Sequence, residues 1–438
     1  MALVILFAAI TFASHFLFPS VRWFFRRRAE KVVSRINEKL DRPIEPFKLA
    51  RRHDMIQRLV YHPDVMEAVT EHAAGENIPE NVAFEEAMKY AREIVPSFSA
   101  SAYFTIATKG AKFLSQAIYR VRMGHYDETL ADIGTDKTVV FVMNHRSNMD
   151  YVLVTYLAAE RSALSYAVGE WARVWPLSRL IRTMGAYFIR RKSRGILYRR
   201  VLARYVEMAT QGGVTQAVFP EGGLSLDGRL APPKLGLLNY VINAWQPGGR
   251  DVVFVPVALN YDRVLEDYVL IKAGQAGTRR FKANMSVVGK FLVNQMWLRV
   301  SGQYNKFGYA AASFGEPLSL EAFVGKGAPD VAAVADELME RIGRVVPVLP
   351  VPLVSAILTR EGDMSRDALE AAAIATMGSF KEGHVHIPRD DASYAVEVGV
   401  RNLIRRELVE ETDAGVVSIT DKGRDVVGYY AATLEHLF

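Results

Sequence analysis

No cysteine occurs in the 438 residues, which excludes disulfides, thiolate zinc sites and cysteine nucleophiles together. Covalent catalysis would then need Ser, Thr, Lys or a carboxylate. Histidine is scarce as well. Of nine, His145 is the only one between His125 and His384, so a histidine-rich metal cluster is excluded from the middle of the chain. Long charge-free apolar runs are nearly absent. The exception is MALVILFAAITFASHFLF, broken only by Thr11, Ser14 and His15 and followed by Pro19. Charge imbalance is equally local: residues 21–60 hold 12 Lys/Arg against 5 Asp/Glu, an excess that accounts for the whole formal charge of +6.

What is present has globular proportions, with 50% apolar and 23% charged residues. The length suits a catalytic domain with smaller helical regions around it. Eighteen helical residues span roughly 27 Å, just enough for a hydrocarbon core. Trp23 and Arg26, Arg27 and Arg28 then suit the headgroup region. A cleaved signal would carry its positive charge before the apolar run rather than after it. Residues 1–28 are therefore expected to be a membrane anchor with a basic cytoplasmic flank.

Residues 29–130 read as helices: Phe84, Ala87, Met88, Ala91, Ile94 and Val95 recur at spacings of three and four. SFSASAYFTIATKGAKFLSQAIYRV is more apolar, but Lys109 and Lys112 interrupt it, which favours a core or membrane-facing helix over a second span. Over residues 131–348 short β-branched runs alternate with helical segments: KTVVFVMN, LSYAV, AYFIR, TQAVFP and VVFVPVAL. That alternation predicts an α/β domain with a mainly parallel sheet flanked by helices and sites at the carboxyl ends of its strands. Residues 349–438 read as a helical C-terminal domain with a two-stranded wing around ELVEETDAGVVSIT. A wing beside helices raises a membrane-tethered DNA-binding regulator as an alternative. RNLIRRELVEE mixes both signs, however, so no nucleic acid is expected as a partner.

The strand KTVVFVMN runs straight into HRSNMD, placing His145 on a strand exit and Asp150 in the first turn of a helix. At that spacing Asp150 can bond Nδ1 of His145 and leave Nε2 free to accept a proton. The plain alternative is that Asp150 only caps its helix. GAYFIRR ends a second strand in Arg190 and Arg191, placed to hold a phosphate or simply solvated. FPEGGLSLDGRLAPPKLG supplies Glu221, the paired Gly222 and Gly223, and beyond them Arg229 and Lys234. In VVFVPVALNYD, Pro256 interrupts a β run, and Tyr261 and Asp262 are exit-loop residues. A carboxylate site built from Asp150, Glu221 and Asp227 keeps a metallohydrolase as a second alternative class. RRFKAN, with Arg279, Arg280 and Lys282, suits coenzyme A phosphates or anionic headgroups, or is plain surface charge.

The ordered set NHRSNMDY, GAYFIRR, FPEGG and VPVALNYD resembles the four blocks of the glycerolipid acyltransferases, and the longer match is to the bacterial-type glycerol-3-phosphate acyltransferases. WARVWPLSRLIRTMGAYFIRR, GRLAPPKLGLL, SFGEPL and the terminal YYAATLEHLF extend that likeness beyond the shared core. The resemblance implies that His145 deprotonates an acceptor hydroxyl, with Asp150 as its partner. The hydroxyl would attack the thioester of acyl-CoA or acyl-carrier protein; no cofactor and no metal are implied. As substrate-binding residues the resemblance implies Arg191 in the second block, Glu221 and Gly222 in the third and Pro256 in the fourth; Arg146, Ser147, Arg190 and Gly223 beside them are expected to join, with Arg229 and Lys234 as substitutes for third-block arginines that this chain lacks. Backbone amides at the start of the helix after His145 are expected to hold the oxyanion. Membrane lipids are the expected surroundings, at the cytoplasmic face of a bacterial inner membrane.

One departure stands out. The family's third block carries two arginines where this chain has Leu224 and Leu226. Glycerol 3-phosphate leads as acceptor, with lysophosphatidate as the runner-up.

Overall fold

The apolar, β-branched run after Lys137 forms a strand buried along its whole length, as a strand covered on both faces must be. The structure, a computed structural model, describes residues 27–28, 30–124, 129–130, 132–158, 162–169, 177–190, 195–277, 306–325, 327–380, 386–388 and 391–438. Strands are numbered β1 (Arg120–Gly124), β2 (Thr138–Met143), β3 (Ser165–Gly169), β4 (Tyr187–Ile189), β5 (Gln216–Val218), β6 (Val252–Tyr261), β7 (Tyr309–Phe314) and β8 (Leu318–Ser319). Their order across the main sheet is β1-β7-β6-β2-β5-β3-β4, with β8 beside β6. The pairs β6/β2, β2/β5, β5/β3 and β3/β4 are parallel, while β7 and β8 run antiparallel to β6. Parallel neighbours need crossovers. These are the helices Met149–Ala158, Leu177–Thr183, Ile196–Gln211 and Leu235–Asn243.

The α/β alternation is thus found where the sequence predicts it, and the mainly parallel sheet with it. Two elements differ from expectation. Within the stretch expected to be helical, Arg120–Gly124 is a strand, paired parallel to β7. It is short, charged and largely exposed, as edge strands commonly are, so it lacks the apolar signature that would distinguish it. The wing has three strands, because Met364–Ser365 (β9) joins the hairpin of Val409–Glu411 (β10) and Val416–Ile419 (β11). Arg366 grips Glu411 through two hydrogen bonds, of 2.9 and 2.5 Å, next to that third strand.

Pro256 lies inside a ten-residue central strand, a place proline normally avoids because it donates no ladder bond. Its position explains the tolerance. On one side it faces Val142 of β2; on the other, β8 pairs up to Phe254 and β7 ends with Phe314 opposite Val257. Proline occupies the changeover between two antiparallel partners, and its carbonyl accepts from the Gly315 amide at 2.8 Å.

One contiguous apolar cluster runs from Met55 to Leu434, so the N-terminal helices and the C-terminal helices pack on the same core as the sheet. The C-terminal region is also tied to the exit of β6 by polar contacts. Asp267 accepts from Arg406 and from the Tyr430 hydroxyl, both at 2.6 Å, and the Tyr430 oxygen accepts from the Val264 amide at 3.0 Å. Among the described residues no helix is long and apolar enough to cross a membrane. The expected anchor lies outside the described residues, apart from its last two arginines.

Candidate active site

Three strand exits converge at the carboxyl edge of the sheet, and Asn144 fixes how the first of them leaves. Its side chain donates to the Leu259 carbonyl at 3.0 Å and accepts from the Leu259 amide at 2.7 Å, binding the end of β2 to β6 beyond the ladder. The next amide, His145 N, donates to Glu221 Oε1 at 2.8 Å, and the Ser225 amide donates to the His145 carbonyl at 2.9 Å. The histidine backbone is therefore held at both its amide and its carbonyl by the loop that leaves β5.

Its side chain is held equally firmly. Asp150 Oδ2 lies 2.8 Å from His145 Nδ1 and also accepts the amides of Arg146 at 2.7 Å and Ser147 at 3.0 Å. The other oxygen, Oδ1, accepts the Tyr261 hydroxyl at 2.5 Å. Both members of the dyad are buried, His145 at 2% exposure and Asp150 at 0%. The imidazole stacks on Phe219 at 4.2 Å between centroids and meets Tyr151 edge-on at 5.4 Å. Nδ1 is thereby committed, and Nε2 has no hydrogen-bond partner among the described residues. An imidazole oriented through one nitrogen by a carboxylate and open at the other is a general base in geometry.

The amides expected to hold an oxyanion are already spoken for. Those of Arg146 and Ser147 close on Asp150, that of Asn148 on Glu266 at 3.1 Å, and that of Met149 on Ser147 Oγ at 3.1 Å. Charge developing on a substrate must be met by other donors. Glu266 also accepts Ser147 Oγ at 2.8 Å and Asn148 Nδ2 at 2.9 Å, so Ser147 serves the turn that carries the dyad. Burial is the main cause that pushes the Glu266 carboxyl above its ordinary value, opposed by these hydrogen bonds.

Glu221 likewise faces inward. Its carboxylate takes the His145 amide on one oxygen and the Ala231 amide, at 3.1 Å, on the other. Burial raises its pKa, with the Arg146 guanidinium as the leading opposing influence. Arg146 is itself 1% exposed and donates to the carbonyls of Gly228 and Arg229. A side chain that deep joins the first and third blocks to each other. Gly228 has φ +88°, and a Cβ there would collide with the Tyr429 carbonyl oxygen, so this loop seats against the C-terminal helix only with glycine.

The remaining expected residues are spread more widely. Gly222, at φ +66°, has the Lys234 chain packed over it, 2.8 Å from where a Cβ would stand, and Gly223 is buried beside it. Arg229 is 56% exposed and pairs with Glu435 at 2.6 Å and with Asp227 at 3.7 Å. Arg190 is engaged by Glu93 in a two-pronged ion pair of 2.8 and 2.6 Å and lies over the rings of Tyr90 and Tyr198. Arg191, Lys192 and the Arg279, Arg280 and Lys282 group lie outside the described residues. Asp150, Glu221 and Asp227 do not form a shared carboxylate centre, and among the described residues no three such side chains could hold a metal ion.

Glu266 and Phe219 are site residues that sequence reasoning missed, and Tyr261, expected only as an exit-loop residue, proves to be a third. Tyr261 reaches Asp150 only because β6 lies next to β2, an adjacency that no local pattern reveals. The Tyr261→Phe variant removes one of four hydrogen bonds to the carboxylate and leaves the ring in place. Its kcat should fall about tenfold with KM unchanged. Wild-type kcat in that variant would show the hydroxyl to be idle.

Against known proteins, residues 125–260 match the Acyltransferase family and residues 296–438 the glycerol-3-phosphate acyltransferase C-terminal region. A curated glycerol-3-phosphate acyltransferase of Actinobacillus succinogenes is 28% identical over 422 residues, covering 89% of this chain and 50% of that protein. One from Shewanella sp. (strain MR-4) is 31% identical over 329 residues, covering 72% of this chain and 38% of that protein. The chain spans about half the length of the curated relatives it matches over most of its own. Among solved structures, the 1-acyl-sn-glycerophosphate acyltransferase of Thermotoga maritima matches with 19% identity and a TM-score of 0.34, over 59% of this chain and 80% of that one. With the acyltransferase domain and the C-terminal region in tandem over more than half its length, the chain belongs to the glycerol-3-phosphate acyltransferase family.

Proposed function

We propose that the protein transfers a fatty acyl group from a thioester, acyl-CoA or acyl-carrier protein, to the hydroxyl of glycerol 3-phosphate, forming lysophosphatidate. The observation that carries this reading is the buried Asp150–His145 pair with Nε2 left open. Nε2 takes the proton of the acceptor hydroxyl as its oxygen attacks the thioester carbonyl. The tetrahedral intermediate then collapses, the carbon–sulfur bond breaks, and the thiolate takes the proton back from the imidazolium. No covalent acyl-enzyme is needed, and the Asp150 carboxylate stabilises the charged ring through Nδ1.

Location is part of the proposal. The apolar N-terminal run with its basic flank supports attachment at the cytoplasmic face of a bacterial inner membrane, among the lipids into which the product partitions.

A specific observation favours lysophosphatidate as a second reading of the acceptor. Leu224 and Leu226 are partly buried and packed against the core, so this stretch of the third block offers apolar surface where its relatives' pattern has arginine. Purified protein given labelled acyl donor with each acceptor separately decides the matter. Label is expected in lysophosphatidate when glycerol 3-phosphate is offered. Label only in phosphatidate, from lysophosphatidate, would move the acceptor to the second reading, and transfer to neither would overturn both.

A further inference from the structure

At the opposite edge of the sheet, where β3 begins at Ser165, a cavity of about 270 Å³ opens between the short helix Pro46–Leu49 and the segment after Glu80–Ile94. Strand β3 runs parallel to its neighbours, so this edge lies roughly 15–20 Å from the one that carries His145. Its walls combine aromatic rings, Phe47 and Phe98, with Lys48, Arg51, Arg52 and Ser97.

Basic side chains gather here without compensation. Lys48 Nζ donates to the Ala163 carbonyl at 2.6 Å and lies over the Phe98 ring. Arg52 donates to the carbonyls of Val95, at 2.9 Å, and Arg92. Arg51 is exposed, and Arg92 and Arg182 stand close enough to Arg52 to lower its pKa, after burial as the main cause. Burial also holds the Lys48 amine well below its ordinary value. None of these five basic groups forms an ion pair with a described residue. The charges of Arg51 and Arg52 at a hollow whose lining holds no carboxylate, with Arg92 and Arg182 beside Arg52, are a standing electrostatic cost, relieved when an anion enters.

We propose that this cavity is a second binding site, separate from the catalytic one, for a phosphate-bearing ligand. Its volume falls just below the usual run of ligand pockets, roughly 300 to 1,000 Å³. It therefore suits a phosphate with a few carbon atoms and not a whole coenzyme A. Arginine at the mouth grips the phosphate oxygens and the rings take the short carbon portion. A free phosphate ester and a lipid headgroup share this chemistry.

Hydrogen exchange in the full chain tests the site locally, in peptides spanning residues 46–55 and 95–99. Inorganic phosphate should slow exchange there relative to chloride at equal ionic strength. Arg51→Glu should raise the half-saturating concentration about tenfold or more, while His145→Ala leaves it unchanged. If phosphatidylglycerol vesicles protect these peptides and soluble phosphate does not, with the same loss in Arg51→Glu, the source is a headgroup and the site stands. Protection by neither, or protection indifferent to Arg51→Glu, overturns it.

Discussion

Replacing His145 by alanine should lower kcat for acyl transfer by a factor on the order of 10²–10⁴ while leaving KM for the donor nearly unchanged. The reason is geometric. Nε2 is the open nitrogen of a ring packed against Phe219 and Tyr151, with its Nδ1 bound to Asp150. No second histidine stands in the α/β domain to take over. Alanine leaves a hole beside Phe219, so His145→Gln, which fills more of it without supplying a base of similar strength, should be measured in parallel. Steady-state kinetics on both variants, with thermal melting to verify folding, provide the check. Turnover within a few-fold of wild type in either folded variant would remove His145 from the chemistry.

Asp150→Asn should have the next largest effect, a loss on the order of 10²–10³ in kcat. Asp150 Oδ2 is shared by the ring nitrogen and two amides, and Oδ1 takes the Tyr261 hydroxyl. An amide side chain has one oxygen and one NH2 group, so it cannot accept from all four donors. Whichever way the substituted amide turns, either the turn that carries the helix loses its acceptor or the tyrosine faces a donor. The charge that stabilises the imidazolium is lost in both orientations. Melting temperature should fall too, because a buried polar group is left unmatched, so kcat is compared on protein verified as folded at the assay temperature.

Much of this arrangement is legible in the chain before folding, for a physical reason. Strands covered on both faces must be apolar throughout, and KTVVFVMN and VVFVPVAL announce themselves by that requirement. A histidine at the end of such a run followed by an aspartate at helix-start spacing is a local geometry, so the pair His145–Asp150 is readable from six residues. What was not legible depends on adjacency. Tyr261 meets Asp150, and Glu266 meets Asn148, across 111 and 118 positions of sequence, through the β2/β6 pairing. Arginine was the residue type most easily misread. Arg146 and Arg190 sit in blocks whose surroundings suggest anion binding, yet one braces the third-block loop from a buried position and the other pairs with Glu93 from the helix Glu80–Ile94. A guanidinium in a motif states a charge and a fork of donors, and only packing says which acceptor it meets.

The C-terminal region also enters the site in a way that sequence order conceals. Tyr429 presses on Gly228, and Tyr430 supports Val264 just beyond the exit of β6. The third-block loop and the exit of β6 are thus backed by the C-terminal helix Arg424–Ala432.

Whether His145 and Asp150 act as one unit is the central question, and a double-mutant cycle tests it most directly. In the proposed mechanism Asp150 acts on substrate only through the imidazole, so Asp150→Asn placed on His145→Ala should cost nothing further, with kcat within about twofold of the single His145→Ala variant. If the two losses multiply instead, Asp150 has a role of its own and the dyad, as described, is wrong.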